Sequence, residues 1–141
     1  MSDSIFIDTN VLLYTISSDP RKKKTAMDLC GRGGVVSLNV LNEYANVCRK
    51  KFGIKPTTIK TDVDHLLRKL TLIIPTIATL RHALDIGEST GYSHFDSLML
   101  ATALEAECTV FYSEDLQHSQ VIEGKLTVID PFRLDAESSS S

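Results

Sequence analysis

Short apolar runs alternate along the chain with longer segments whose apolar residues recur at helical spacing. Ile5-Phe6-Ile7 predicts a buried strand. A helix is expected to begin at Val11 and reach Ile16, and a second to cover Lys22 to Cys30, ended by Gly31, Gly33 and Gly34. Val35-Val36 predicts a very short strand. From Leu38 to Phe52 the apolar residues Leu38, Leu41, Ala45, Cys48 and Phe52 mark one face of a helix, with Gly53 as its cap. Pro56 stands at the head of a further helix, Thr57 to Lys69. Leu72 to Ile74 is the next expected strand, and Ala78 to Gly87 a helix followed by a loop through Gly91. Phe95 to Ala106 is nearly all apolar, which predicts a helix packed on several sides. Thr109 to Tyr112 and Leu126 to Ile129 are the last expected strands, the latter closed by Pro131.

Strands separated by helices imply an α/β fold, a mainly parallel sheet sandwiched between helices. Periodicity leaves the strand order open. The chain has 141 residues, enough for one domain, expected over 1–134. Residues 135–141 are Ser-rich with almost nothing apolar to bury, and disorder is expected there.

Composition narrows the class. Hydrophobic residues make up 43% of the chain, in keeping with a globular domain. The longest apolar runs fall far short of the roughly 20 residues needed to span a bilayer. Asp3 and Asp8 flank the first apolar run, so no secretory signal is expected, and the cytoplasm is the expected compartment. Cys30, Cys48 and Cys108 are odd in number, widely spaced and without a C-x-x-C pair, which argues for buried thiols and against a disulfide or zinc framework.

The net charge of −3 opposes binding to a polyanion, but setting aside four candidate metal-holding acids turns it into +1. Basic residues also cluster, in Arg21-Lys22-Lys23-Lys24 and in Arg49-Lys50-Lys51 with Lys55. Lys22, Lys23, Lys24, Lys50 and Lys51 are therefore candidate contacts to a phosphate backbone, against the simpler reading of solvated helix faces.

Four acids fall at informative points. Asp8 follows the first strand, and Asp115 comes soon after the Thr109 to Tyr112 strand; ligands of open α/β sheets bind beyond the carboxyl ends of strands. Glu43 lies two residues past Leu41 and so points away from that stripe. Asp96 opens the most apolar helix. Clustered carboxylates suit Mg²⁺ or Mn²⁺, which prefer oxygen ligands and help supply a nucleophile and neutralise phosphate charge. Each acid has a plainer alternative. Asp8 fits a helix cap, Glu43 a solvated helix residue, Ser93-x-x-Asp96 a capping box, and Glu114-Asp115 a polar loop.

The segment Ile5-Phe6-Ile7-Asp8-Thr9-Asn10-Val11-Leu12-Leu13-Tyr14 resembles the opening of PIN-domain proteins, especially the VapC ribonuclease toxins of bacterial toxin–antitoxin pairs. Phe95-Asp96-Ser97-Leu98-Met99-Leu100-Ala101-Thr102-Ala103 resembles their third-acid helix, and Val110 to His118 their fourth-acid loop. Glu43 falls where the second acid belongs. The likeness covers about residues 4 to 132 and is least distinctive from Pro56 to Gly91. It implies a parallel sheet between helices, with Asp8, Glu43, Asp96 and Asp115 as catalytic, metal-binding acids. Asn10 and Ser113 would be supporting polar residues. It further implies Mg²⁺ or Mn²⁺, a single-stranded or loop RNA substrate, a homodimer and a small antitoxin partner.

Two other functions compete. One is a non-catalytic PIN module binding RNA or a protein, which has no need to gather carboxylates beside phosphates. The other is a small-molecule phosphohydrolase with Asp8 as nucleophile, disfavoured by the lack of a Gly-rich phosphate loop and of a clear partner lysine. His65, His82, His94 and His118 have no paired spacing. His94 and His118 lie near candidate acids, but surface or capping roles suit them better.

Overall fold

The computed structural model of the chain describes residues 4–133; the expected Ser-rich tail, 135–141, lies outside the described residues. Its strands are β1 (Ile5–Ile7), β2 (Val35–Ser37), β3 (Thr71–Ile73), β4 (Val110–Tyr112), β5 (Val121–Ile122) and β6 (Leu126–Ile129). They form one sheet in the order β3-β2-β1-β4-β6-β5, parallel at every pairing except β5 with β6. Every residue of β1 and β2 is buried, which requires cover on both faces of the sheet. The helices α1 (Thr9–Leu13), α2 (Pro20–Gly31), α3 (Leu38–Lys50), α4 (Pro56–Lys69), α5 (Ile77–Thr90) and α6 (His94–Glu105) supply that cover. The mainly parallel α/β architecture expected from the alternation is the one observed.

Local chemistry explains where elements begin. The first helix starts at Thr9, two residues earlier than its apolar pattern suggests, and tightens into a 3-10 turn over Tyr14–Ile16. Helix α2 starts at Pro20 because Asp19 caps it, accepting from the Arg21 and Lys22 backbone N–H groups. A reciprocal Thr76–Thr79 capping box opens α5, which runs on to Thr90 and past its expected end at Gly87.

One expectation is corrected, and one strand was not expected. The buried face of α3 is Val40, Leu41, Tyr44 and Cys48, while Leu38 and Phe52 are 40% and 51% exposed. Leu38 sits at the first turn and Phe52 beyond the end of the helix at Lys50, so neither extends the stripe. Strand β5 has only two residues and carries no periodic signal. A turn makes it: Glu123 and Gly124 have φ of 53° and 68°, the mirror-image geometry that joins tight antiparallel hairpins.

The core is centred on the sheet, where Phe6 stacks on Phe111 with ring centroids 5.1 Å apart. Gly34 allows β2 to approach β1, since a Cβ there would lie 2.8 Å from the Ile7 Cδ1. Helix α6 is buried from Ser97 to Ala103 without a break, as its composition predicts. Cys30, Cys48 and Cys108 are free and buried, and burial pushes the Cys30 and Cys108 thiols up to about 11. Among the described residues no helix is long and apolar enough to cross a membrane.

Candidate active site

From β1 the chain builds outward to β2 and β3, then returns to lay β4 on the other side of β1. That reversal creates a switch point at the carboxyl ends of β1 and β4, where the connections diverge and leave a crevice. Asp8 is the first residue after β1 and Ser113 the first after β4. The Asp8 backbone N–H donates to the Tyr112 carbonyl at 3.0 Å, so the strand pairing itself holds the two segments together. Helix α3 follows β2 at the same edge and brings Glu43 on its second turn.

Asp8 is buried, only 4% exposed. It sits at the N-cap of α1 but makes no capping hydrogen bond through its side chain. Instead its Oδ2 accepts from Ser113 Oγ at 2.9 Å and from Asn10 Nδ2 at 3.2 Å. Burial is the main force on its carboxyl. The Ser113 hydrogen bond works against it, and the charges of Asp96 and Glu43 add to it. The result is a carboxyl raised from 3.8 to about 7.

Asn10 ties this acid to the β4 loop. Its Nδ2 also donates to Asp115 Oδ2 at 3.0 Å, and its Oδ1 accepts the Glu114 backbone N–H at 3.0 Å. Ser113 is fully buried and accepts the backbone N–H groups of Asp115 and Leu116, each at 3.2 Å. The turn that presents Asp115 is thus fastened to the residues that hold Asp8. Asn10 and Ser113 thus both hydrogen-bond the Asp8 carboxylate.

The other two acids approach from the helices. Thr9 Oγ1 donates to Glu43 Oε2 at 3.0 Å. Ser93 caps α6 by accepting the Asp96 backbone N–H at 3.2 Å, so one half of the expected capping box forms. The Asp96 carboxylate shares with Glu43 a cavity of about 370 Å³. The site therefore joins Asp8 with Asp115 through Asn10, and Glu43 with Asp96 across a pocket, with Thr9 linking the halves. Thr9 was not singled out from the sequence. Its place between Asp8 and Asn10 in the first motif was the available signal.

Among the described residues no three carboxylate, imidazole or thiolate groups stand close enough to hold a single ion between them. The donor set is all carboxylate oxygen, and the buried Asp8 pays for its charge unless a cation is near. Such a set suits Mg²⁺ or Mn²⁺, since Mg²⁺ keeps several waters and needs only one or two carboxylates. It would not suit zinc, for which the described residues offer no paired thiols or imidazoles.

The basic blocks divide. Lys22 Nζ pairs with Glu114 Oε2 at 2.9 Å, touches Tyr14 OH at 3.2 Å, and lies over the Tyr14 and Phe132 rings. It clamps the loop next to Asp115 while staying partly exposed. Lys24 pairs with Asp28 at 2.9 Å. Lys23, Lys50 and Lys51 are exposed. Of the histidines near the acids, His118 Nδ1 accepts the Asp130 backbone N–H at 3.0 Å, a structural role. His94 packs edge-on against Phe95.

The PIN domain family matches residues 5–123. No curated protein matches the chain. Solved structures of similar fold include a toxin–antitoxin complex from Klebsiella pneumoniae, with TM-score 0.69 and 19% identity over 91% of this chain and 97% of that one. Mycobacterium tuberculosis VapC20, described as a sarcin-ricin loop cleaving toxin, aligns with TM-score 0.62 and 18% identity over 79% and 92%. VapBC2 from Rickettsia felis, bound to a DNA fragment from its promoter, aligns with TM-score 0.65 and 18% identity over 89% and 98%. These identities carry the fold, and the family match carries the membership: the chain belongs to the PIN domain family.

Proposed function

We propose that this protein is a metal-dependent endoribonuclease that cuts single-stranded or loop RNA, and that it is the toxin of a type II toxin–antitoxin pair. The observation that carries the reading is the buried Asp8. It is held by Ser113 and Asn10 at the sheet's switch point, with three more acids around the same crevice. A merely structural carboxylate would have its charge balanced by a base, and this one faces further acids instead.

Asp8, Glu43, Asp96 and Asp115 would hold Mg²⁺ or Mn²⁺. When bound, such a cation offsets the carboxylate charge, draws in a phosphodiester and helps ionise a water. The chain's own residues do the positioning. Ser113 and Asn10 fix the Asp8 carboxylate through its Oδ2. Asn10 and the Lys22–Glu114 pair steady the Asp115 turn. Thr9 orients Glu43. Without a cation, Asp8 retains a proton on its carboxyl through much of the neutral range.

A small antitoxin is the proposed partner. Three of the structures with this fold are described as toxin–antitoxin assemblies or a toxin, and an acidic crevice suits an inserted arginine. A homodimer is the proposed assembly. Ile77, Leu80 and Leu84 form an exposed stripe on α5, with Ile74 just before it, and two copies would cover it. The proposed compartment is the cytoplasm.

A second reading has one observation in its favour. The acids do not already form a three-group ion cage, as a non-catalytic PIN module binding RNA or a protein would allow. One experiment separates the two. RNA oligomers are incubated with the protein in EDTA and then with Mn²⁺ or Mg²⁺, and the product ends are analysed. Cleavage that needs the cation and leaves 5′-phosphate and 3′-hydroxyl ends is expected. Absence of cleavage with either cation would favour the binding module, and a 2′,3′-cyclic phosphate made in EDTA would refute the metal route.

A further inference from the structure

We infer that Phe95 is a stacking platform for an unpaired RNA base next to the scissile phosphate, and that the cavity beside it receives that base. This rests on the RNA-cleaving reading above. Phe95 is 65% exposed, although it directly precedes Asp96 on the first turn of α6. It borders the cavity of about 370 Å³ that Glu43 and Asp96 share. Met99, itself buried, gives this cavity an apolar wall, and Asn39 and Asn42 also line it.

The chemistry of that lining selects its occupant. Glu43 and Asp96 would hold the cation that draws in the phosphate, so the phosphate belongs at their side of the cavity and the base at the side of Phe95 and Met99. A nucleobase is flat and uncharged, and every base offers a face to an aromatic ring. Amides such as those of Asn39 and Asn42 can donate to and accept from a base edge. His94 meets the Phe95 ring at 73°, with centroids 5.3 Å apart, and so braces it from the side. A base seated there places its phosphate at the carboxylates.

The exposed stripe on α5 is a separate feature. Thr79, near the start of α5, donates to Glu105 at the end of α6. Phe95 lies at the opposite end of α6, roughly 15 Å away at 1.5 Å per residue.

The test uses a short single-stranded RNA that the full chain cleaves, made also with an abasic residue at each position flanking the cut. Binding is followed by fluorescence anisotropy on the Asp115→Asn background, and cleavage of the same RNAs by the otherwise unaltered chain with Mn²⁺. Phe95→Ala should weaken binding of intact RNA by about 5- to 150-fold, the range of one base–aromatic stack, while Phe95→Trp should retain it. With the abasic RNA at one flanking position, the Phe95→Ala and unaltered proteins should bind alike. Equal affinities of Phe95→Ala and unaltered protein for intact RNA, or a penalty independent of the abasic position, would overturn the base site while leaving the nuclease reading intact. A Phe95→Ala chain that loses its dimer in sedimentation would overturn it too, by assigning the ring to a protein interface. Failure of the unaltered protein to cleave any RNA would remove both readings.

Discussion

Replacing Asp8 by asparagine should abolish activity and, in chelator, make the protein more stable. Asp8 is buried with its carboxyl raised from 3.8 to about 7, burial being the chief cause and Asp96 and Glu43 adding to it. The folded state therefore binds this proton more tightly than the unfolded chain. The contribution to stability is fully present below the unfolded value of 3.8 and is lost as pH rises to about 7. At about 1.4 kcal/mol per tenfold change, the full loss above pH 7 has a ceiling of about 4 kcal/mol. Asparagine has the same shape, and its carbonyl can accept the Ser113 and Asn10 hydrogen bonds that Oδ2 accepts now. In EDTA at pH 8 the variant should then melt on the order of 10 °C above the unaltered protein, with 2–4 °C per kcal/mol for a domain of this size. The gap should narrow as pH falls towards 4. Adding Mn²⁺ should raise the melting point of the unaltered protein more than that of the variant, because binding to the folded state stabilises it by mass action. Melting by circular dichroism across pH 4–8, with and without Mn²⁺, reads all of this. An Asp8→Asn protein less stable than the parent at pH 8 in EDTA, or a gap that does not change with pH, would refute the reasoning.

Other expectations follow from the surroundings of the site. Lys22→Met keeps the packing on Tyr14 and Phe132 but removes the Glu114 partner; it should cost about 1 kcal/mol in denaturant melts, the pair being partly exposed, and lower activity by loosening the Asp115 turn. Charge reversal at Lys23, Lys50 and Lys51 should flatten the salt dependence of RNA affinity by about 0.7 in slope per lost phosphate contact. An unchanged slope would assign those lysines to an ordinary solvated face. Burial would depress the His82 imidazole, but Glu123 at 2.8 Å and Glu105 at 3.3 Å outweigh it and hold its pKa above the ordinary 6.5. That stabilisation is complete below pH 6.5 and fades as pH rises through the folded value, so His82→Gln should cost about 1 kcal/mol or less at pH 6 and less still at pH 9. Equal cost at both pH values would remove charge from the account.

Much was readable from local pattern. The apolar run Ile5-Phe6-Ile7 marks a parallel strand covered on both faces, and Val110 to Tyr112 marks its parallel neighbour, in which Phe111 is the buried residue. The nearly all-apolar stretch around Leu98 to Ala103 marks a helix enclosed by the fold. Asp8, Glu43, Asp96 and Asp115 stood out by their positions beside such elements and by the motifs around them. Errors arose where local forces compete. Phe52 continues the spacing of α3 but lies past its last turn, and the two-residue β5 depends on a turn at Glu123-Gly124 that strand periodicity does not register.

What only the tertiary structure decided is which groups meet, since contact between residues far apart in sequence depends on strand order. Asp8 and Ser113 are neighbours because β1 and β4 pair in parallel, and no local property of either segment specifies that pairing. Asn10 could be singled out as a polar neighbour of Asp8, but its grip on Asp115 exists only at the switch point. The same holds for Lys22. In the sequence it is one of four consecutive basic residues, and in the fold it is the one that Glu114 and two aromatic rings hold in place. Charge along a chain tells how a segment interacts with water; the partner it finds depends on packing that brings distant segments within hydrogen-bonding range.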